Sequence, residues 1–284
     1  MPFRTKVDSL MDRECKECDC EELTINKEVS IEGHYVSEFK QLRDSDGLCA
    51  STLLESLDPE ANQSNVFKAG EASGASGSFF FFSDDKKFIV KTMTVEEMHF
   101  FLKQVAQPYF AHLKKYPTSL LARIYGVYSV KIQGLRVVNL MLMAHTMQIE
   151  GPEKVKRVFD LKGSSVDRKT KFNKRTSSLK TLKDENFVDL NLKETKSGGL
   201  VTLYDSEKAF LQRQLKIDSI FLRDLNIMDY SLLLCIEKKD GSVSENPSSC
   251  GGGHKDSQNS QQSLISIKGL GDSNASSQQS MQSF

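Results

Sequence analysis

The chain has 284 residues, of which 38% are hydrophobic and 27% charged, and its 38 basic side chains balance 38 acidic ones. These values predict a folded protein of one large or two small domains, with no net field to draw it towards nucleic acid. No run of 18 apolar residues is present, and the N-terminus lacks an apolar signal core. We therefore expect a cytoplasmic protein whose membrane contact is peripheral.

Six cysteines are present, and in the cytosol we expect reduced thiols. Three of them cluster at Cys15, Cys18 and Cys20. Zinc sites usually take four ligands as two spaced pairs, and no second pair follows in the sequence. We interpret the cluster as part of a solvated, charged leader over residues 1–30, with a metal site as the alternative.

The next segments alternate between helix and strand patterns. Residues 35–58 predict two short helices broken at Asp46-Gly47. A small-residue loop at 70–78 precedes two β-rich runs about a polar turn, which predict a hairpin over 79–93.

Residues 94–107 predict a helix, with Thr94 as its cap and Glu97 completing a capping box. The apolar face of this helix would consist of Val95, Met98, Leu102 and Val105.

The rest of the chain predicts further strands, one long helix and a polar tail. The strands fall at 122–132, 136–144, 156–163 and 227–237. The helix covers 206–226, with an apolar face of Phe210, Ile217, Phe221 and Leu225, flanked by Leu211 and Leu215. Residues 240–284 contain 13 serines, so we predict disorder there, with 263–270 as the only apolar island.

A loop, a strand lysine and a helix glutamate occur in the order used by nucleotide-binding lobes of the kinase type. Small residues allow backbone N–H groups to approach phosphates, and a strand lysine can neutralise them. Glu97 could hold Lys91 in place. The alternatives are a Gly/Ser linker, an exposed strand lysine and a capping glutamate, and the combined spacing favours the nucleotide site. The loop residues are Gly74, Ser76, Gly77 and Ser78.

The H-R-D, D-F-G and Walker sequences of other kinases are absent. Instead, the chain contains DLKGSS at 160–165, TLKDENF at 181–187 and IMDYSLL at 227–233. At these residues, and at the loop and strand lysine before them, it closely resembles the phosphatidylinositol phosphate kinases, over about residues 31–238.

The resemblance implies an α+β, two-lobed lipid-kinase fold with antiparallel sheets flanked by helices and an incomplete C-terminal lobe. The expected regions are a leader (1–30), a nucleotide-binding lobe (31–148), a partial catalytic and lipid-binding lobe (149–238) and a disordered tail (239–284).

The same resemblance implies roles for individual residues, with ATP and Mg²⁺ as cofactors. Lys91 would contact the ATP phosphates, paired with Glu97. Met143 would lie in the adenine-contacting segment. Asp229 would be the catalytic aspartate, which fits the logic of a carboxylate near the attacking hydroxyl. Lys162 would bind phosphate near the active site. Arg168 would help to recognise the phosphate that the substrate already carries.

Three departures from the family pattern stand out. Cys235 replaces a glycine, and residues 143–150 differ from the usual hinge sequence. The sequence also ends inside what resembles a variable insert, before the family's metal-binding I-I-D motif. We assign no metal ligand, because Asp272 lacks the apolar strand that precedes that motif.

The charge distribution supports a phosphoinositide lipid as partner. Between Lys154 and Lys183 there are 11 basic and 2 acidic residues. Anionic lipids attract each basic residue near the surface by about 1 kcal/mol. A solvated loop between lobes is the alternative, and nucleic acid is disfavoured because no aromatic residues alternate with the charges.

The leading hypothesis is therefore a phosphatidylinositol phosphate kinase, with the 4-phosphate 5-kinase activity favoured. One alternative is a catalytically inactive phosphoinositide-binding scaffold. Another is a short regulatory form that needs a full-length partner. The resemblance leaves a homodimer open, because family members often dimerise.

Overall fold

A computed structural model describes residues 20–26, 28–63, 79–147, 155–171, 180–194, 201, 203–237 and 263–268. The chain divides into two compact units. The first contains residues 1–148 and the segments Lys216–Met228 and Lys268–Phe284, and the second contains residues 149–215 and the segment from Asp229 to Ile267. Among the described residues, no helix is long and apolar enough to span a bilayer.

The first unit is built on a six-stranded sheet in the order β1-β2-β5-β6-β4-β3, with antiparallel pairing between each pair of neighbours. Its strands are β1 (Cys20–Thr24), β2 (Val29–His34), β3 (Phe80–Phe82), β4 (Phe88–Met93), β5 (Ile124–Ile132) and β6 (Val138–Ala144). The β-branched and aromatic residues of β4, β5 and β6 suit a pleated, half-buried surface, and these strands form the centre of the sheet.

Helices flank this sheet. They are α1 (Val36–Ser45), α2 (Ala50–Ser56), α3 (Val95–Phe100) and α4 (Ala106–Lys115), with a π-helical segment, Phe101–Val105, joining α3 to α4. Phe39, Phe101 and Tyr109 are fully buried among them. The two short helices predicted on either side of Asp46-Gly47, the hairpin over 79–93 and the Thr94–Glu97 capping box are all confirmed.

The helix predicted over 94–107 is longer than expected, and its buried face differs. Val95 is exposed, whereas Met98, Phe101 and Val105 are buried. The π-helical segment adds a residue to one turn, which shifts the face that the helix buries. The hydroxyl of Tyr35 donates to the carbonyl oxygen of Leu102 inside this segment, at 2.9 Å.

The second unit contains a four-stranded sheet in the order β10-β9-β7-β8. Its strands are β7 (Val155–Leu161), β8 (Thr181–Leu182), β9 (Ser231–Glu237) and β10 (Ser263–Lys268). Helix α5 (Asp184–Glu194) follows β8 directly. Phe159, Leu182 and Leu234 form the core, and Phe187 packs edge-on against Phe159 at a centroid distance of 5.2 Å. Cys235 is buried in β9.

Three boundary predictions require correction. The leader was expected to run to residue 30, but Cys20–Thr24 pairs with β2 and forms the edge of the first sheet. The tail was expected to be disordered throughout, but Ser263–Lys268 forms β10. In both cases a neighbouring strand supplies the backbone hydrogen bonds that a short isolated segment cannot make alone. Helix α5 was not predicted, because DENFVDLNLKE has a weak apolar stripe.

The third correction concerns α6 (Asp205–Asp224), whose C-terminal part belongs with the first unit rather than with the region 149–238. The carboxylate of Asp218 is fully buried and contacts His112 Nε2 at 2.7 Å. It also accepts hydrogen bonds from Ser119 Oγ and the Leu120 N–H, both at 2.8 Å. Phe210 is exposed although it was assigned to the apolar face. A buried acid on an amphipathic helix cannot be recognised without its partners.

Candidate active site

In the first unit, Lys91 lies on the central strand β4, directly opposite Phe80 of β3 and Met141 of β6. Only 3% of Lys91 is exposed. Its Nζ lies 3.5 Å from Glu97 Oε1 and 5.9 Å from the centroid of the Phe80 ring. The structure therefore brings together the lysine and the glutamate that the sequence paired, and encloses the lysine on an apolar stretch of sheet.

Glu97 is held by the turn that begins α3. Thr94 Oγ1 accepts from the Glu97 N–H at 3.1 Å, and Glu97 Oε2 accepts from the Thr94 N–H at 2.8 Å. One carboxylate oxygen thus caps the helix, and the other faces Lys91. The sequence left two alternatives for Glu97, a helix cap or a partner of Lys91. In the structure Glu97 is both.

The remaining residues predicted for ATP binding are less informative. Met143 is fully buried on β6, opposite Ile89 of β4. Gly74, Ser76, Gly77 and Ser78 lie outside the described residues.

In the second unit, Lys162 follows β7 and Asp229 precedes β9, and the Lys162 ammonium contacts the Asp229 carboxylate directly. These strands are antiparallel neighbours, with Leu161 paired to Leu232, so the end of one lies beside the start of the other. The side chain of Asp229 is 59% exposed. Its backbone φ is 64°, a left-handed conformation that aspartate tolerates better than most residues.

The backbone that carries Lys162 is anchored by Asp184, at the start of α5. Asp184 Oδ1 accepts from the N–H groups of Lys162 at 3.0 Å and Gly163 at 2.8 Å, and Oδ2 accepts from Arg168 Nε at 2.7 Å. Burial raises the pKa of Asp184, but the hydrogen bonds from Arg168 and Gly163 outweigh it, and the net pKa lies below the ordinary value.

Arg168 is enclosed between two carboxylates. It is 8% exposed, and besides Asp184 it contacts Asp160, with its Nη2 donating to both the carbonyl and the carboxylate of that residue. Sequence resemblance suggested that Arg168 binds a phosphate of the substrate. Its Nε and Nη2 donors are directed at Asp184 and Asp160, which fixes the chain between β7 and α5, and the role in substrate binding stays a prediction.

The TLKDENF motif, to which the sequence assigned no role, therefore supports this site. Asn186 is buried, and its amide exchanges hydrogen bonds with the backbone of Thr170 at 2.8 and 3.0 Å. Its Oδ1 also accepts from the Lys183 N–H at 3.2 Å. Polar side chains at fixed spacing beside an apolar Phe187 were the available signal, but only the fold shows what they bind.

The carboxylates near Lys162 do not form a Mg²⁺ site by themselves. Magnesium takes oxygen ligands and usually one or two carboxylates. Asp160 and Asp184 are engaged by Arg168, and the exposed Asp229 carboxylate contacts the Lys162 ammonium. Asp272 lies outside the described residues.

Known proteins with similar sequences agree with these motifs. The family model for phosphatidylinositol-4-phosphate 5-kinase matches residues 61–283. A probable phosphatidylinositol phosphate kinase of Dictyostelium discoideum is 34% identical over 199 residues, covering 70% of this chain and 26% of the relative.

Two further relatives carry the name phosphatidylinositol 4-phosphate 5-kinase. That of Schizosaccharomyces pombe is 34% identical and covers 70% of this chain and 25% of its own length. The type-1 alpha kinase of Rattus norvegicus is 32% identical and covers 71% and 34%.

A strand lysine paired with a helix glutamate is a feature of kinase catalytic domains, and Lys91 and Glu97 form such a pair. With the family match, they show that the chain belongs to the phosphatidylinositol-4-phosphate 5-kinase family. The chain spans about a quarter to a third of the length of the three relatives described.

Proposed function

We propose that the protein transfers the γ-phosphate of ATP to a hydroxyl of a phosphorylated inositol lipid, as a phosphatidylinositol 4-phosphate 5-kinase. The observation that carries this proposal is the Lys162–Asp229 pair: an exposed carboxylate, placed by a left-handed backbone between two strands, against an ammonium group. The family match and the names of the relatives support the choice of substrate.

In this mechanism Asp229 receives the proton of the attacking inositol hydroxyl. The hydroxyl oxygen forms a bond to the γ-phosphorus, the bond from that phosphorus to the β–γ bridging oxygen breaks, and ADP leaves with the electron pair. Lys162 offers positive charge to the phosphoryl oxygens next to the carboxylate. Lys91 neutralises the phosphates of ATP as a point charge, oriented by Glu97. The expectation that Mg²⁺ takes part rests only on membership of the family.

The lipid would be reached by peripheral binding at a cytosol-facing membrane such as the inner face of the plasma membrane. Basic residues of the 154–183 segment support this, though less strongly than their number suggests. Lys169 contacts Asp189 at 2.9 Å and Arg168 is enclosed. Lys171 and Lys180 are exposed and are candidates for contact with anionic lipid, although Lys180 Nζ donates to the Lys171 carbonyl at 3.0 Å.

The test is transfer of labelled phosphate from ATP to vesicles that contain phosphatidylinositol 4-phosphate, using the complete natural gene product. Asp229→Asn should lower kcat by about 10²–10⁴-fold, as loss of a general base does, while ATP binding persists. Asp224→Asn, an exposed acid on α6, is the matched control and should leave kcat unchanged.

Labelling that survives in Asp229→Asn would contradict the assigned base. A gene product that binds ATP but labels no phosphoinositide would contradict the lipid-kinase function. Neither the family match nor the geometry favours the inactive scaffold that the sequence left open.

A further inference from the structure

A cluster of sulfur, nitrogen and oxygen ligands lies at the edge of the first sheet, in residues that the proposed kinase function does not use. Cys20 on β1 pairs directly with His34 on β2, and Glu32 is two residues before His34. Directly paired residues, and residues two apart on one strand, share a face of the sheet. Cys20 Sγ lies 3.4 Å from His34 Nδ1, and one ligand atom from each of the three residues lies within 4.8 Å of the others.

The hydrogen bonds behind the cluster fix which imidazole nitrogen carries the proton. Ser129 Oγ donates to Asn139 Oδ1 at 2.9 Å. Because a hydroxyl has one hydrogen, Ser129 can only accept from His34 Nε2, which lies 3.0 Å away. The proton of neutral His34 therefore resides on Nε2. The Nδ1 lone pair faces Cys20 Sγ, which is the arrangement in which metal-binding histidines are held by a second group.

The ligand set identifies the class of ion. A thiolate, an imidazole and a carboxylate together suit Zn²⁺, whereas Mg²⁺ and Ca²⁺ take oxygen ligands. Three protein ligands leave a fourth tetrahedral position for water. Cys20 is exposed and Glu32 is half-buried, so an ion can reach these ligands from solvent.

Lys131 is the one described cation that competes for this cluster. Its Nζ lies 2.9 Å from Glu32 Oε2 and 3.6 Å from Glu22 Oε1. The ammonium keeps Glu32 ionised, but it also occupies one carboxylate oxygen. A metal ion at the cluster would have to share Glu32 with Lys131, so removal of the ammonium should strengthen metal binding.

We propose that Cys20, Glu32 and His34 bind one Zn²⁺ ion, which fastens the edge strand β1 to β2. The site is separate from the proposed ATP site. His34 and Lys91 lie in one row of paired residues, His34–Val127–Met141–Lys91, three strand spacings apart. At roughly 4.8 Å per strand that separation is about 14 Å, too far for direct contact with phosphates held by Lys91. Binding of Zn²⁺ at this site can therefore be tested independently of the proposed kinase function.

The test is equilibrium binding of Zn²⁺ to the purified full chain in competition with a chromophoric chelator, together with Co²⁺ substitution. We expect one tight equivalent per chain, a thiolate-to-cobalt charge-transfer band, and tetrahedral visible absorption. Cys20→Ser should abolish the charge-transfer band and weaken Zn²⁺ binding at least 100-fold, whereas Cys49→Ser, at an exposed thiol of the same unit, should leave both unchanged.

Two further variants distinguish a built site from an incidental cluster. Ser129→Ala should weaken Zn²⁺ binding about 10-fold, the lower end of the effect of losing a group that orients a histidine ligand. Lys131→Met should tighten it. Zn²⁺ should also raise the melting temperature of the wild-type chain and of Cys49→Ser, but not that of Cys20→Ser.

Because Cys20 is exposed on an edge strand, Cys20→Ser should melt like the wild type without zinc, which separates loss of binding from loss of fold. No tight equivalent in the wild type, or binding unchanged in Cys20→Ser, would overturn the proposal.

Discussion

Lys91 of the first unit and Arg168 of the second are both buried cations, and both were predicted to bind phosphate. They differ in the number and the distance of their partners. Lys91 meets one carboxylate oxygen at 3.5 Å and an aromatic ring, with apolar strand residues around it. Arg168 has two carboxylates and a carbonyl oxygen as partners, at hydrogen-bonding distance. A cation with weak partners can give its charge to a ligand, whereas one that is held by two carboxylates through its Nε and Nη2 donors stabilises the fold.

The largest effect that follows from this comparison is on stability. Arg168→Ala leaves the Asp160 and Asp184 carboxylates without their buried partner, and breaking such a pair costs about 3–5 kcal/mol. We expect urea unfolding to show a loss of that size. Lys169→Ala, which removes an exposed ion pair on the next residue, should leave stability almost unchanged, because solvent screens that pair. Equal effects of the two substitutions would show that Arg168 does not stabilise the fold through Asp160 and Asp184.

Lys91→Met is expected to have the opposite profile. Removal of a weakly paired, buried ammonium by an apolar side chain of similar length should cost no more than about 1 kcal/mol of stability, because a lost ion pair is offset by a lost desolvation cost. Affinity for ATP, measured by calorimetry, should fall about 10–100-fold, because the ammonium that neutralises the phosphates is lost. Each factor of ten in affinity corresponds to about 1.4 kcal/mol.

The control for Lys91 is Lys87→Met, on the same hairpin and exposed, which should leave ATP affinity unchanged. A large loss of stability with unchanged ATP affinity in Lys91→Met would reverse the roles of the two cations.

A smaller effect is expected from the turn that positions Glu97. Thr94→Ala removes the side chain that caps α3, and the loss of such a cap costs about 1 kcal/mol. Because Thr94 also fixes the helix end that carries Glu97, ATP affinity should fall slightly as well. Thr94→Ser keeps the hydroxyl and should restore both values, and failure of serine to restore them would exclude the cap as the cause.

The smallest expected effect is on the pH dependence of folding stability in acid. The pKa of Asp184 is lowered in the folded state, so its contribution to stability is complete above its unfolded pKa, near 4, and is lost as pH falls through the lower folded value. Stability measured between pH 6 and pH 2 should therefore fall less steeply in Asp184→Asn than in the wild type. Parallel curves would show that Asp184 is not held ionised by Arg168.

Much of the first unit could be predicted from residue patterns. Alternating β-branched residues, the Thr94–Glu97 box and the break at Asp46-Gly47 are local signals, and the elements that they predict are present. The buried face of the helix over 95–115 was not predictable in the same way, because the π-helical segment changes which residues face the sheet. Gln214 and Asp218 were missed as buried positions of α6 because polar residues are expected outside.

The sequence by itself determined the family, through three motifs in order, and the pairing of Lys91 with Glu97, through their spacing about a helix cap. The tertiary structure decided the rest. It paired Lys162 with Asp229, 67 positions apart, and turned Arg168 inward onto Asp160 and Asp184. It also brought Cys20, Glu32 and His34 together across a strand ladder. The physical reason is that an ionic side chain takes its role from the charges and burial around it, and those are contributed by residues distant in the chain.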